Sequence, residues 1–474
     1  MREYQPGYIK LALPKGRFLS PTANLLGEVD LGFDGYRDKM RQYRLQSAKF
    51  AHLSAKVFQE KDIPIQVALG NYDLGICGLD WIEELIVKYP AGALVKISSL
   101  NYGEGGVHVV TSNQSGITSV DELSTLQNDC RIVSEYPNLA EAFALNLRMK
   151  KFRVFPVWGA AGIYPPENAE LAVLWEKNEM SQGLVCLASL FPVTAFLIAN
   201  RKSLEIKDLS PILTYLKSKS NVKPHDSMGN KSRVGKTSAV FHSGWQVKEI
   251  KLALPDGHQR PHTSRFLKRA GFNLEGYSDE TSNRRPSADL DWLGIKVIRP
   301  QDMPLQVANA NFDLAITGED WMREHLYRFP SSPVEELLAL SFGTVKIVVA
   351  VSQDMPVTDI DELRSLVQSG KLTIPIRVAS EYINISDKYL RDNHIDPYKL
   401  IPTWGASEAF LPEDADVLID NTETGKTLQQ HNLKIIDVIF QSSACLIGNK
   451  DSLAHSDKRK RVEFIVQMLR TGLA

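Results

Sequence analysis

The chain is written twice. Residues 9–14, IKLALP, recur letter for letter at residues 250–255. Residues 62–81, DIPIQVALGNYDLGICGLDW, return as residues 302–321, DMPLQVANANFDLAITGEDW. Further pairs keep the order: ITSVDEL at 117–123 with VTDIDEL at 357–363, RIVSEY at 131–136 with RVASEY at 377–382, and PVWGA at 156–160 with PTWGA at 402–406. Similarity this dense over a long period requires two modules of one fold. Residues 1–216 and 250–474 are therefore expected to be the modules. Residues 217–249, polar and rich in Ser, Lys and Gly, read as the linker.

Within each copy, short apolar runs such as IKLALP, YDLGICG, GGVHVV and RIVS alternate with longer amphipathic segments such as SVDELSTL and YPNLAEAFALNL. That alternation predicts an α/β fold with largely parallel sheets, and it directs the search for chemistry to the loops after the strands. With 43% hydrophobic and 23% charged residues among 474, the composition is that of a folded globular protein. A formal charge of −1 leaves no global field to recruit nucleic acid or an anionic membrane, so any anion site must be local. The dispersed Cys77, Cys130, Cys186 and Cys445 signal neither a disulfide framework nor a zinc cluster, which fits a reducing cytoplasm. The first residues carry no apolar secretory segment. The apolar run 183–199 contains Pro192 and is shorter than the roughly 20 residues that span a bilayer, so it reads as strand.

The most specific motif is LIDNTETGKTL at 418–428. An apolar strand delivers Asp420, and after Thr422 and Glu423 the residues Thr424, Gly425, Lys426 and Thr427 enter a predicted helix. Glycine lets the backbone approach a phosphate closely, the N–H groups and hydroxyls donate to it, and the acids suit ribose hydroxyls. The alternative is a plain strand-to-helix turn with a Thr cap. The equivalent stretch of the first copy, 171–184, has no Thr-Gly-x-Thr and is shorter. The other end of the copies differs in the opposite sense. LPKGRF places Lys15 and Arg17 about Gly16, a polyanion clamp or a capped turn with solvated charges, where the second copy reads LPDGHQR. Three signals are weak. Residues 229–237 resemble a P-loop but follow no strand; His258 and His262 flank Pro261 and have no third ligand; and the recurring pairs Trp81 with Trp321 and Trp158 with Trp404 read as packing.

LPKGRF, DIPIQVALGNYDLGICGLDW and SEYPNL in the first half, with IRPQDMP, FDLAITGEDW and DNTETGKTL in the second, follow in order and spacing the pattern of the ATP phosphoribosyltransferases of histidine biosynthesis. Each half resembles the catalytic module of that family. The resemblance implies a module of two α/β lobes similar to a type II periplasmic binding protein, with the active site in the cleft. It implies a reaction that joins N1 of ATP to C1′ of phosphoribosyl pyrophosphate and releases pyrophosphate, with Mg²⁺ carried mainly by substrate phosphates. By the same resemblance, residues 420–427 would be the phosphoribosyl loop and Glu381 and Tyr382 would line its pocket. Lys15 with Arg17 would resemble the basic motif that faces the polyphosphates, Arg299 is a further catalytic candidate, and Gly318 and Asp320 would lie beside the nucleotide.

A divergent copy in front of a loop-bearing one suggests an intramolecular pseudo-dimer. Two arrangements of the basic residues stay open. Lys15, Arg17 or Arg41 of the first half would complete the second half's site, or Arg260, Arg284, Arg285 and Arg299 would suffice in cis. The assembly implied is a homodimer or a complex with a regulatory subunit, without nucleic acid or membrane. Transfer to another base, or a non-catalytic sensor, are the alternative functions.

Overall fold

The structure is a computed structural model that describes residues 8–37, 43–90, 92–125, 129–177, 180–217, 250–280, 282–372, 374–454 and 456–473. The linker from 218 onward, with its P-loop-like motif at 229–237, and Arg41 lie outside the described residues. Contacts divide the chain into two units. The first comprises Met1–Pro156, Tyr164–Ser243 and Trp404–Ala409; the second comprises Val157–Ile163, Gly244–Thr403 and Phe410–Ala474. Each copy thus supplies its unit almost whole, with the short segments Val157–Ile163 and Trp404–Ala409 each assigned with the other copy.

In the second unit one lobe is a sheet in the order Leu293–Ile298, Ile250–Pro255, Leu314–Gly318, Ala444–Asn449, Val334–Ala339. The other runs Tyr398–Pro402, Ile376–Ser380, Val417–Thr422, Val345–Ser352, Leu433–Ser442. The first unit repeats this order. Its first lobe is Leu53–Gln59, Ile9–Lys15, Leu74–Gly78, Ala195–Asn200, Leu94–Ser99, with Arg44–Gln46 added at one edge. Its second lobe is Phe152–Pro156, Cys130–Ser134, Leu171–Glu176, Gly105–Ser112, Leu184–Val193. The lobes are α/β, as the alternation of runs predicts. Long strands such as Val345–Ser352 are buried over most of their length, with Ile347, Val349 and Val351 packed in one core with Leu363 and Val367 of helix Ile360–Gln368 and Ile385 and Leu390 of helix Ile383–Asp392.

The sheets are mixed rather than largely parallel. Ile250–Pro255 pairs in parallel with both neighbours, yet Ala444–Asn449 runs antiparallel between Leu314–Gly318 and Val334–Ala339. The reason is the route of the chain. It leaves the first lobe after Val334–Ala339, builds the second lobe, and returns along Leu433–Ser442 into Ala444–Asn449, so the returning strand enters head to tail with its hosts. The apolar run 183–199 is the same return in the first unit, Leu184–Val193 followed by Ala195–Asn200. Among the described residues no helix is long and apolar enough to cross a membrane.

Two contacts tie the lobes of each unit together. Glu324, on the first-lobe helix Glu319–Arg328, accepts the backbone N–H groups of Asn384 and Ile385 at 2.9 Å, which satisfies donors that the start of helix Ile383–Asp392 cannot pair internally. In the first unit Glu84 takes the N–H groups of Asn138 and Leu139 at the same 2.9 Å. The second tie is an acid on a tyrosine: the Tyr382 hydroxyl donates to Asp320 at 2.6 Å, and the Tyr136 hydroxyl to Asp80 at 2.6 Å.

Candidate functional site

The site of the second unit is assembled where strands of both lobes end. Leu314–Gly318 runs into helix Glu319–Arg328, and the Asp320 carboxylate folds back over the helix start. A Cβ on Gly318 would collide with Asp320 Oδ1, so the glycine is what lets the acid take that position. Asp320 is buried and accepts the Tyr382 hydroxyl at 2.6 Å and the Ser442 hydroxyl at 2.7 Å. Burial pushes its carboxyl up from the ordinary range, and the two hydroxyls act against that shift.

Tyr382 is the hub between this acid and the loop. Its ring stacks on Trp321 with centroids 4.5 Å apart, and its oxygen accepts the Asn421 side-chain amide at 2.8 Å. Trp158, from the segment assigned to this unit, packs edge-on against Trp321 at 5.8 Å, and its backbone N–H donates to the Asp302 carboxylate at 3.0 Å.

From Asn421 the strand Val417–Thr422 opens into the predicted anion loop. Gly425 stands at φ +75°, the left-handed region that a side chain disfavours, and its N–H donates to the Thr422 hydroxyl at 2.9 Å. Glu423, Thr424, Lys426 and Thr427 are exposed. Asp420 is half-buried and takes the Asn421 N–H at 2.7 Å. The helix expected after the loop is one short turn and a half, Lys426–Gln430. The loop therefore presents hydroxyls and backbone donors on a base fixed by Thr422 and Asn421.

The first lobe contributes a basic group gathered about one acid. Asp256 follows strand Ile250–Pro255, and its Oδ2 accepts Arg284 Nη1 at 2.5 Å, with Arg299 Nη1 at 4.0 Å. Arg260 Nη1 lies 3.8 Å from Oδ1. Burial favours the neutral acid, but the Gly257 N–H and the Arg284 and Arg299 guanidinium groups outweigh it and lower the Asp256 pKa. Arg285 is directed elsewhere and donates to the Ile163 carbonyl at 3.1 Å. Glu381 is half-buried beside Tyr382. The tertiary fold thus brings together Gly318, Asp320, Tyr382 and the loop base on one side, and Arg260, Arg284 and Arg299 on the other.

Lys15 and Arg17 belong to the first unit, and Arg17 is consumed there. Its Nε donates to Glu60 at 2.8 Å and its Nη2 to Asp80 at 2.5 Å. The guanidinium lies between the rings of Phe18 and Trp175, at 4.6 and 4.5 Å. Burial works against its charge, but Asp80 and Glu60 outweigh that and hold it protonated. Lys15 donates to the Tyr43 hydroxyl at 2.8 Å. Strand register explains the lost loop. Leu171–Val173 pairs with Ile132–Ser134 as Val417–Ile419 pairs with Val378–Ser380, which sets Leu174 and Trp175 where the second unit has Asp420 and Asn421. Sequence reasoning passed over Ser442, Asp80 and Trp175, and held Asn421 only as one residue of the 420–427 loop. Trp175 was visible as the aligned partner of Asn421, whereas Ser442 comes from a strand 122 residues beyond Asp320 and had no local signal.

Comparison with known proteins bears on both copies. The family model described as HisG, ATP phosphoribosyltransferase, matches residues 59–218 and again residues 299–471. The ATP phosphoribosyltransferase of Chlorobaculum parvum is 32% identical over 229 residues, which are 47% of this chain and 71% of that protein. The Saccharolobus solfataricus enzyme of the same name is 34% identical over 233 residues, 48% of this chain and 73% of the relative. Among solved structures, the ATP phosphoribosyl transferase (HisG:HisZ) complex from Thermotoga maritima aligns at 22% identity and a TM-score of 0.37, over 47% of this chain and 98% of that one. With a family model matched in each half and relatives covered over more than two thirds of their length, this chain belongs to the ATP phosphoribosyltransferase family.

Proposed function

We propose that the second unit carries out the family's reaction, the first step of histidine biosynthesis. N1 of ATP bonds to C1′ of phosphoribosyl pyrophosphate as the bond from C1′ to the pyrophosphate oxygen breaks. The observation that carries this reading is the loop at 420–427, held open by left-handed Gly425 and anchored through Asn421 and Tyr382 to Asp320. Its hydroxyls and N–H groups suit the 5-phosphate, and Asp420 and Glu423 suit the ribose hydroxyls. The adenine lone pair is available without a strong base, so catalysis is a matter of positioning and of neutralising the departing pyrophosphate. Arg260, Arg284 and Arg299 are the cations we assign to that task, in cis, because Arg17 is already spent on Glu60 and Asp80.

Mg²⁺ would neutralise the phosphates, held mainly by substrate oxygens with Asp420 or Glu423 at the edge. The donor set fits an ion that keeps most of its non-protein ligands: no group of three or more His, Cys, Asp or Glu converges among the described residues. A cytoplasmic setting is part of the proposal, supported by four cysteines that are all free thiols.

The test is pyrophosphate release by the full chain with ATP, phosphoribosyl pyrophosphate and Mg²⁺, beside a T424A/T427A double variant. Release should require both substrates and fall by at least about a hundredfold in the variant. Release with other purines but not ATP would overturn the choice of acceptor. Turnover by the chain alone would mean that no separate regulatory chain is required.

A further inference from the structure

The second unit builds its cationic face around an acid where the first copy has a base. Strand Ile250–Pro255 repeats the sequence of the first six residues of Ile9–Lys15, so Asp256 stands at the place of Lys15. Its Oδ1 accepts the Gly257 N–H at 2.8 Å, and its Oδ2 accepts Arg284 Nη1 at 2.5 Å. Arg260 and Arg299 stand at ion-pair range, 3.8 and 4.0 Å. The exposures are graded: the Asp256 side chain is 12% accessible, those of Arg284 and Arg299 38% and 42%. An arriving anion therefore meets guanidinium groups first, with the carboxylate behind them.

That order has a physical consequence. Arg284 and Arg299 would grip a diphosphate strongly, and a tight grip on the leaving group slows its departure after the reaction. A fixed negative charge within 2.5 to 4.0 Å of the cations, and less exposed than they are, repels every bound phosphate oxygen, yet it also keeps the guanidinium groups in register. Resting on the reading of this face as the polyphosphate site, we propose that Asp256 is a positioning counter-charge that weakens the second unit's hold on pyrophosphate and so favours its release. The geometry gives it no contact with the reacting atoms.

The experiment is calorimetric titration of the full chain with pyrophosphate at about 0.1 M salt, where a charge this close is only partly screened. Asp256→Asn keeps the shape and an oxygen for the Gly257 N–H while removing the charge. Loss of one unit charge a few ångströms from the bound anion should tighten pyrophosphate binding about tenfold. Product inhibition by pyrophosphate should deepen in parallel, and Asp256→Glu should restore the wild-type affinity. A merely structural role makes the opposite forecast, since arginines without their anchor would bind more weakly. Unchanged or weaker binding by an Asp256→Asn protein of wild-type melting temperature overturns the proposal, as does a wild-type chain that binds no pyrophosphate at all. If Asp256→Asn does not fold, Asp256→Lys, which restores the first copy's residue, must tighten binding further or the proposal fails. Wild-type binding without turnover of ATP and phosphoribosyl pyrophosphate would refute the proposed function and leave the Asp256 comparison intact.

Discussion

The indole of Trp175 lies over the guanidinium of Arg17, 4.5 Å from ring centroid to Cζ, where the second unit carries Asn421 hydrogen-bonded to Tyr382. Gly105 makes room for it: a Cβ there would stand 2.6 Å from the indole nitrogen. The first unit has thus filled with its own side chains the space that the second leaves beside its loop. Its strand Leu171–Glu176 is followed by Leu184–Val193 with no counterpart of helix Lys426–Gln430 among the described residues. The same two-lobed frame holds a packed cation in one unit and an open loop in the other.

Arg17→Ala should destabilise the first unit by about 3 kcal/mol, because it strands Glu60 and Asp80 as buried acids without their partner. Denaturant unfolding of the full chain, followed by the Trp175 environment, measures this. A fall in turnover of the folded variant, with unchanged stability, would instead mark Arg17 as a substrate-binding residue.

Gly425→Ala tests the loop's backbone rather than its space. The nearest atom to a new Cβ would be Ile435 Cδ1 at 3.7 Å, an ordinary contact, so the cost comes from φ +75° alone. The expected loss is about 1 kcal/mol of stability with a several-fold higher KM for phosphoribosyl pyrophosphate. Gly425→Asn, which tolerates that conformation better, should lie between the two.

Removing the Tyr382 hydroxyl takes one of two side-chain donors from Asp320, leaving Ser442 and the backbone N–H groups at the helix start, and frees the Asn421 amide. Tyr382→Phe should cost about 1 to 2 kcal/mol of stability, since a buried acid loses a donor. Its kcat/KM should fall about tenfold as the loop base loosens. Steady-state kinetics beside a melting curve separates the two effects.

Asp62 is buried with neither carboxylate oxygen hydrogen-bonded, and burial raises its pKa to about 7, against only a partial offset by Lys61. The folded protein then keeps a proton that the unfolded chain has released above about pH 4. Stability from this group is complete below about pH 4 and is lost as pH rises toward 7, by something on the order of 4 kcal/mol. Asp62→Asn should flatten that slope and stabilise the chain at pH 8 relative to wild type, as read from urea unfolding at pH 5 and pH 8.

Much of the site was legible as letters. The duplication announced two like units, the apolar runs fall on strands, and TETGKT spans the end of Val417–Thr422, the turn at Glu423, Thr424 and Gly425, and the start of Lys426–Gln430. The sense of the sheets was not legible. Ala444–Asn449 is antiparallel only because the chain comes home from another lobe, a fact of route rather than composition. The partners of Asp320 were equally hidden, since Ser442 and Tyr382 reach it from remote strand ends. Arg17 reads as part of a polyanion clamp because charge is visible in a sequence, whereas its pairing with Glu60 and Asp80 is not.

By itself the amino-acid order determined the repeat, the α/β alternation and the loop with glycine between threonines, because these depend on periodicity and on residues adjacent in the chain, while the two lobes of each module were implied only by the family resemblance. Only the tertiary structure decided which cations are spent and which face outward. Charges interact through space over a few ångströms, so pairing Arg17 with acids 43 and 63 residues away, or gathering Arg284 and Arg299 about Asp256, is set by packing alone.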